Sequence, residues 1–393
     1  MEKLLIVNNG SASKKYALFS AGVPVFKAHL EKDDEGEGLV STLTYGSQEE
    51  KRATSQDDYE NAVAFIFKFL VEKNLITGPQ GLTGVGLRVV APGEHFKNNH
   101  PLDAACLAKL EEVKLQAPLH ITPVIAEIRQ LKKLLPDTPV IIVSDSAFHA
   151  NMPDSARRYS LPKETAEKFE IYRWGYHGIS MSSVLRKFKE QMTLPGKIII
   201  CHLGSGSTIT AVKDGKSFDT SMGFTPLEGL VMGTRVGTID AGAVLYLLEK
   251  SGMKPLELED FFNKKCGLLG LSGKTNDVRE LIALEREGDE GAKLALDSFA
   301  TQVKKYIGAY SAEMGGLDAL IFTATIGERS WIMRERICAG LESMGIVLDE
   351  KRNKETVSKS GFINQERSKV RIAVTPTDEM GEIAQETSLA INS

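Results

Sequence analysis

Three absences narrow the reading of this 393-residue chain before any motif is considered. No apolar run approaches the length that spans a bilayer, so a helical membrane protein is excluded. The opening MEKLLIV holds too short an apolar stretch for a signal-peptide core, from which a cytoplasmic protein is expected. Charge of one sign is also missing. With Lys and Arg totalling 48 against 52 Asp and Glu, the net charge of -4 argues for neither a nucleic-acid nor a membrane partner. The four cysteines, Cys106, Cys201, Cys266 and Cys338, show no close-spaced ligand pattern and read as buried reduced thiols. What remains is an ordinary globular composition, 42% hydrophobic and 25% charged, on a chain long enough for two cores.

The most informative stretch runs from Ile198 to Asp240. Ile198 to Ile200 read as a buried strand, Gly204 and Gly206 bend a Ser- and Thr-rich turn, and a second strand follows through Ile209 to Val212. Such a turn offers backbone N–H groups and hydroxyls to a phosphate, although taken alone an ordinary hairpin is the better reading. The chain opens with the same design. Leu4 to Val7, a turn over Asn8 to Ser13 and a return through Tyr16 to Phe19 set Gly10, Ser11 and Ser13 against Gly204, Ser205 and Ser207, and a third strand follows each pair. The repetition points to two similar domains, each presenting a Gly/Ser turn to a shared cleft.

Between these hairpins, Gly46 to Asp57 reads as a polar loop, and a helix from Asp58 carries Val63, Ile66, Phe67 and Leu70 on one face. Arg88 ends an apolar strand, where a permanent charge requires a buried carboxylate or an anionic ligand. APLH at 117–120 reads as a turn before a helix capped by Thr122 with Pro123 as its first residue. The apolar run ending at Val143 delivers Asp145 to the carboxyl edge of a sheet, where α/β proteins bind ligands. The segment 150–163 is the expected crossing between domains. His177 sits in a Gly-flanked turn before a helix, and Arg235 lies between glycines. Cys266 to Lys274 reads as a Gly-rich loop, Gly291 to Met314 as a long helix, Asp349 to Glu355 as a charged loop, and Val370 to Thr375 as the last strand.

Together LLIVNNGSASKKY, GLRVV, APLH, DSAFH, GYHG, CHLGSGS, DTSMGFTPLEGLVMGTR, GLLGLSG, NDVR, IGE and PTDE resemble the acetate kinase family over nearly the whole chain. The resemblance implies two duplicated actin-like, ribonuclease H-like α/β domains, with mixed sheets flanked by helices, around a central nucleotide cleft, usually in a homodimer. It implies domains at 1–149 with 380–393 and at 150–379. By position, Arg88 and Arg235 match the active-site arginines, Asp145 the catalytic aspartate and His177 the phosphoryl-contacting histidine. Asn8, Ser11, Ser13 and Lys15 match the first phosphate loop, and the second runs from His202 through Gly204, Ser205 and Gly206 to Ser207. Asp277, Val278 and Arg279, with Ile326, Gly327 and Glu328, match the nucleotide side. Val90, Leu119, Tyr176 and Pro226 match the pocket for the methyl group of acetate. Glu379, with Asn8, matches the magnesium site.

The implied chemistry is transfer of a phosphoryl group from ATP to acetate. Acetate is already an anion, so positive charge is needed more than a strong base. This chain departs from the family pattern at Ser205 in place of Asn, at Ala91 and Pro92 after GLRVV, at Ile121, and at Tyr176, Ile179 and Met181. It departs again at Thr325 and Arg329, which alter the nucleotide side. Three rivals follow: a propionate or other short-chain acyl kinase, a kinase using another donor such as pyrophosphate, and a non-catalytic nucleotide-binding protein.

Overall fold

The computed structural model describes residues 2–10, 13–32, 38–114 and 118–392, which form two compact units, 1–147 with 378–393 and 148–377. The sheet of the first unit contains β1 (Lys3–Asn9), β2 (Ser13–Ser20), β3 (Val23–Lys32), β4 (Leu39–Tyr45), β5 (Gln48–Ala53), β6 (Gly84–Val89), β7 (His100–Pro101) and β8 (Val140–Ser144). Its order is β5-β4-β3-β2-β1-β6-β8-β7, with β1, β6 and β8 mutually parallel. The second unit has β9 (Lys197–Leu203), β10 (Ser207–Lys213), β11 (Lys216–Thr220), β12 (Ala319–Thr323), β13 (Gly361–Phe362) and β14 (Arg371–Val374), ordered β11-β10-β9-β12-β14-β13. Strands β3-β2-β1-β6-β8 and β11-β10-β9-β12-β14 therefore follow one plan, an antiparallel hairpin and its third strand joined to two parallel strands. The expected duplication is present.

The central strands β1 and β9 are apolar without interruption because both their faces are covered. In β9, Ile199 and Cys201 face the core around Phe299 and Val303 of the helix Glu290–Met314. Ile198 and Ile200 face Met181, Val184 and Phe188 of the helix Gly178–Gln191. In the first unit, the helix Glu379–Asn392 packs on β1, β6 and β8. Gly86 admits it, since a Cβ there would fall 2.1 Å from Thr387 Oγ1 and 2.9 Å from Ile383 Cγ2.

Several local expectations are corrected. Gln48–Ala53 is a strand, not a loop. It is an edge strand with no buried residue, so it carries no apolar alternation to read. The helix expected from Asp58 is two helices, Gln56–Glu60 and Ala62–Glu72, and Phe69 rather than Phe67 joins the buried face. The helix placed at Pro123 begins at Pro118 and carries Pro123 inside it. Residues Gly267–Ser272 and Glu350–Glu355 are short helices rather than loops. The first lies against the chain through Leu268 N to Met232 O at 2.8 Å, and the second is capped by Asp349.

Candidate active site

In the first unit, three parallel strands bring polar side chains to one sheet edge. Asn8 lies near the end of β1, Arg88 near the end of β6, and Asp145 just past β8. Glu379 opens the covering helix. Arg88 donates Nε to Asp145 Oδ1 at 3.2 Å and Nη2 to Oδ2 at 3.0 Å, a two-pronged pair, and Nη1 to Asn8 Oδ1 at 3.0 Å. Glu379 accepts from Asn8 Nδ2 at 2.8 Å and lies 3.6 Å from Arg88 Nη1. Burial works against the Arg88 charge, but Asp145 and Glu379 outweigh it and hold the guanidinium more basic than usual. Arg88 thus has a buried carboxylate partner. The hard oxygens of Asn8, Asp145 and Glu379 fit a magnesium ion that keeps part of its water shell. Lys15 is exposed on β2 opposite Asn8 in register, and Ser13 accepts from Gly10 N through its carbonyl at 2.9 Å. Val90 is half-buried, Leu119 lies on the helix from Pro118, and Ser11 lies outside the described residues.

The second unit assembles a cluster of two imidazoles and a guanidinium. His177 takes a left-handed backbone with φ 58 as the cap of the helix Gly178–Gln191. Its Nδ1 lies 2.8 Å from Thr208 Oγ1, and its ring stacks on His202 at 4.2 Å. The His202 ring is held in turn, with Nδ1 2.8 Å from Ser180 Oγ. A Cβ on Gly206 would lie 3.4 Å from both Arg235 Nη1 and His177 Cε1, so the Gly/Ser turn, the imidazole and the guanidinium meet at one point. Arg235 donates to Pro226 O at 3.4 Å, and among the described residues it has no ion-pair partner. Burial alone pulls its pKa down, because no carboxylate opposes it. Tyr176 is buried and donates its hydroxyl to Phe224 O at 2.8 Å.

The run that carries Arg235 is fastened at its start by Arg173, which binds Glu228 at 3.0 Å and lies 3.9 Å from Asp219. Burial pushes the Asp219 carboxyl up to about 7, against the opposing pull of Arg173. A raised carboxyl stabilises the fold in its protonated form. Its contribution is complete below the ordinary carboxylate pKa of about 4 and is lost as pH rises through about 7. Denaturation titrations are expected to show that slope, on the order of 1 to 3 kcal/mol, and Asp219→Asn to flatten it.

A cavity of ≈ 570 Å³ adjoins the second turn. Gly204, Ser205, Asp277, Val278, Arg279 and Ile326 line it, as do Thr325 and Arg329, the positions that depart from the family pattern. Gly327 and Glu328 are not on its wall; Glu328 Oε1 instead accepts from Thr377 N at 3.1 Å. Asn276, Arg286 and Trp331 also line it and were not anticipated. Arg334 was also missed. It is fully buried, giving Nε to Asn353 Oδ1, Nη1 to the carbonyls of Gly327 and Glu328, and Nη2 to those of Asn353 and Thr356, all within 2.7–3.0 Å. The spacing of Arg334 from Ile337 and Cys338 puts it on the apolar side of its helix, a signal that was available in the sequence.

A family model described as the acetokinase family matches residues 3–385. Among curated relatives, the acetate kinase of Bacillus mycoides is 43% identical over 98% of this chain and 98% of its own length. The crystal structure of Porphyromonas gingivalis acetate kinase superposes with a TM-score of 0.88 at 36% identity, covering 100% of both chains. That of a propionate kinase from Francisella tularensis gives 0.90 at 34%, covering 99% of this chain and 100% of its own.

Proposed function

The chain belongs to the acetokinase family, an acetate kinase by that membership, and we propose that it transfers the terminal phosphoryl group of ATP to acetate reversibly, giving ADP and acetyl phosphate. The observation that carries this reading is Arg235, a guanidinium set against Gly206 and His177 with no carboxylate to neutralise it among the described residues. An uncompensated charge in such a position is costly unless an anion completes it. The transferring phosphoryl group is that anion. Arg235 and His177 stabilise the charge on its equatorial oxygens, while the Ser205 and Gly206 amides and the Ser205 hydroxyl cradle the polyphosphate.

By the family motifs, Arg88, which Asp145 orients, is the second guanidinium and the one assigned to the acetate carboxylate. By the same motifs, Val90, Leu119, Tyr176 and Pro226 are the residues assigned to its methyl group. Asn8, Asp145 and Glu379 would hold Mg2+, which would supply positive charge to the phosphate oxygens. The nucleoside occupies the cavity bounded by Asp277 to Arg279 and Thr325, with Ser11, Ser13 and Lys15 on the other phosphate loop.

One observation favours a second reading of the donor. Arg286 and Arg329 line the cavity, and among the described residues neither has an ion-pair partner, which makes it more cationic than a neutral nucleoside requires. A hydroxamate-trapping assay with acetate, propionate and butyrate against ATP, GTP and pyrophosphate tests both readings. Acetate with ATP is expected to give the most product, pyrophosphate dominance would replace the donor, and no product from any pair would overturn the function.

The same reading includes a cytoplasmic homodimer. No helix among the described residues is long and apolar enough to cross a membrane. The helix Ala241–Ser251 buries none of its residues, although it presents Leu245 and Tyr246, 67% and 64% exposed, a surface suited to a second copy. Sedimentation velocity is expected to give twice the chain mass, and a single-chain mass would refute the dimer.

A further inference from the structure

Outside the site described above, the first unit gathers three metal-binding side chains that the proposed reaction does not use. His95 lies in the turn Glu94–Lys97, His100 is in β7, and Cys106 is in the first turn of the helix Ala104–Val113. One ligand atom from each lies within 4.8 Å of the other two, and the imidazole centroids are 4.3 Å apart at 64°. The Nε2 atoms of His95 and His100 are both buried and without a hydrogen-bond partner. Buried polar atoms are rarely left so, and two facing one thiol call for an explanation.

The tautomer of His100 is fixed by its neighbour. Its Nδ1 lies 3.2 Å from the carbonyl of Pro101, which can only accept, so Nδ1 carries the proton and Nε2 presents a lone pair. A carbonyl behind a histidine is the usual outer support of a metal-bound imidazole. Burial also lowers the pKa of His95, keeping its ring neutral and able to coordinate. Cys106 is fully buried, and Asp103, which accepts from its backbone N at 2.7 Å, fixes the start of its helix.

We propose that His95, His100 and Cys106 form a binding site for a borderline-soft divalent cation of the zinc class. Two imidazole nitrogens and one thiolate suit tetrahedral Zn2+, with water in the fourth position, better than the hard, oxygen-seeking Mg2+. Burial, with Asp103 adding to it, pushes the Cys106 thiol up to about 12, so the site holds a thiol until the metal arrives. Binding replaces the S–H bond by an S–Zn bond and releases the proton to solvent, which makes affinity increase with pH.

The site fastens a segment that already grips the active edge. The Ser144 backbone N–H donates to Asn99 Oδ1 at 2.9 Å, and its hydroxyl donates to the carbonyl of Phe96; the next residue is Asp145. A metal joining the segment 94–97 to His100 and Cys106 therefore clamps the support of that strand end.

The test is a titration of the full-length chain with Co2+ and then Zn2+, in the parent, Cys106→Ser and His95→Gln. His95 is only partly buried, so its replacement keeps the fold. The parent is expected to show a thiolate-to-cobalt charge-transfer band, displaced by one equivalent of Zn2+, and a melting temperature raised by zinc. Cys106→Ser is expected to lose the band, and His95→Gln to weaken zinc binding more than about 100-fold in chelator competition, beyond the usual effect of an outer-support residue. Ions held by the carboxylates near Asp145 give no such band, so failure of the kinase reading leaves this result untouched. No band in the parent, or equal zinc affinity in the parent and His95→Gln, would overturn the site.

Discussion

Arg235→Ala is expected to lower kcat/KM about 10³-fold, roughly 4 kcal/mol of transition-state stabilisation, while leaving the protein at least as stable as the parent. The two halves of that expectation come from one feature. Arg235 has no ion-pair partner among the described residues, and its desolvation is uncompensated in the folded chain. Removing a charge that the fold itself does not use relieves a cost, whereas the phosphoryl group loses its nearest guanidinium. Steady-state kinetics beside a urea titration measures both. Loss of activity accompanied by loss of stability would make Arg235 a structural residue and sink the phosphoryl role.

Arg88→Ala is expected to behave in the opposite way, losing activity and about 3–5 kcal/mol of stability together. Its partner Asp145 is 1% exposed and would lose both bonds that it accepts from the guanidinium. Solvent screening is small at that depth, so the cost of breaking a buried pair applies. Asn8 and Glu379 would lose the same anchor, since both meet Arg88 Nη1. A second substitution separates the roles. Arg88→Ala combined with Asp145→Asn is expected to recover part of the stability and none of the activity. Recovery of activity would show that the guanidinium serves only the fold.

How much of this was legible in the sequence depends on whether the residues advertise their partners locally. β1 and β9 were readable because strands covered on both faces are apolar without interruption, and the Gly/Ser turns after them repeat. β5 was not, because a charged edge strand has no periodicity that separates it from a loop. The Arg88 strand posed a question that the sequence left open, and its answer, Asp145, lies 57 residues away. Roles for the charged residues came from the family motifs rather than from spacing. The place of Arg334 on the apolar side of its helix was readable, but its partners were not, because four of its five acceptors are main-chain carbonyls, which no side-chain pattern reveals. His95, His100 and Cys106 escaped because a turn, a two-residue strand and a helix bring them together, without any compact ligand spacing.

The unit that begins the chain is completed by its last sixteen residues, 378–393. During synthesis, β1, β6 and β8 leave the ribosome with their covering helix still hundreds of codons away, whereas residues 148–377 are contiguous and have their whole core as soon as they emerge. The middle of the polypeptide is therefore free to fold before its beginning does, the reverse of the usual amino-terminal-first order. A stop codon placed just before Glu379 would strip both the covering layer and one carboxylate from the first sheet in a single stroke, leaving an exposed apolar face for chaperones to hold.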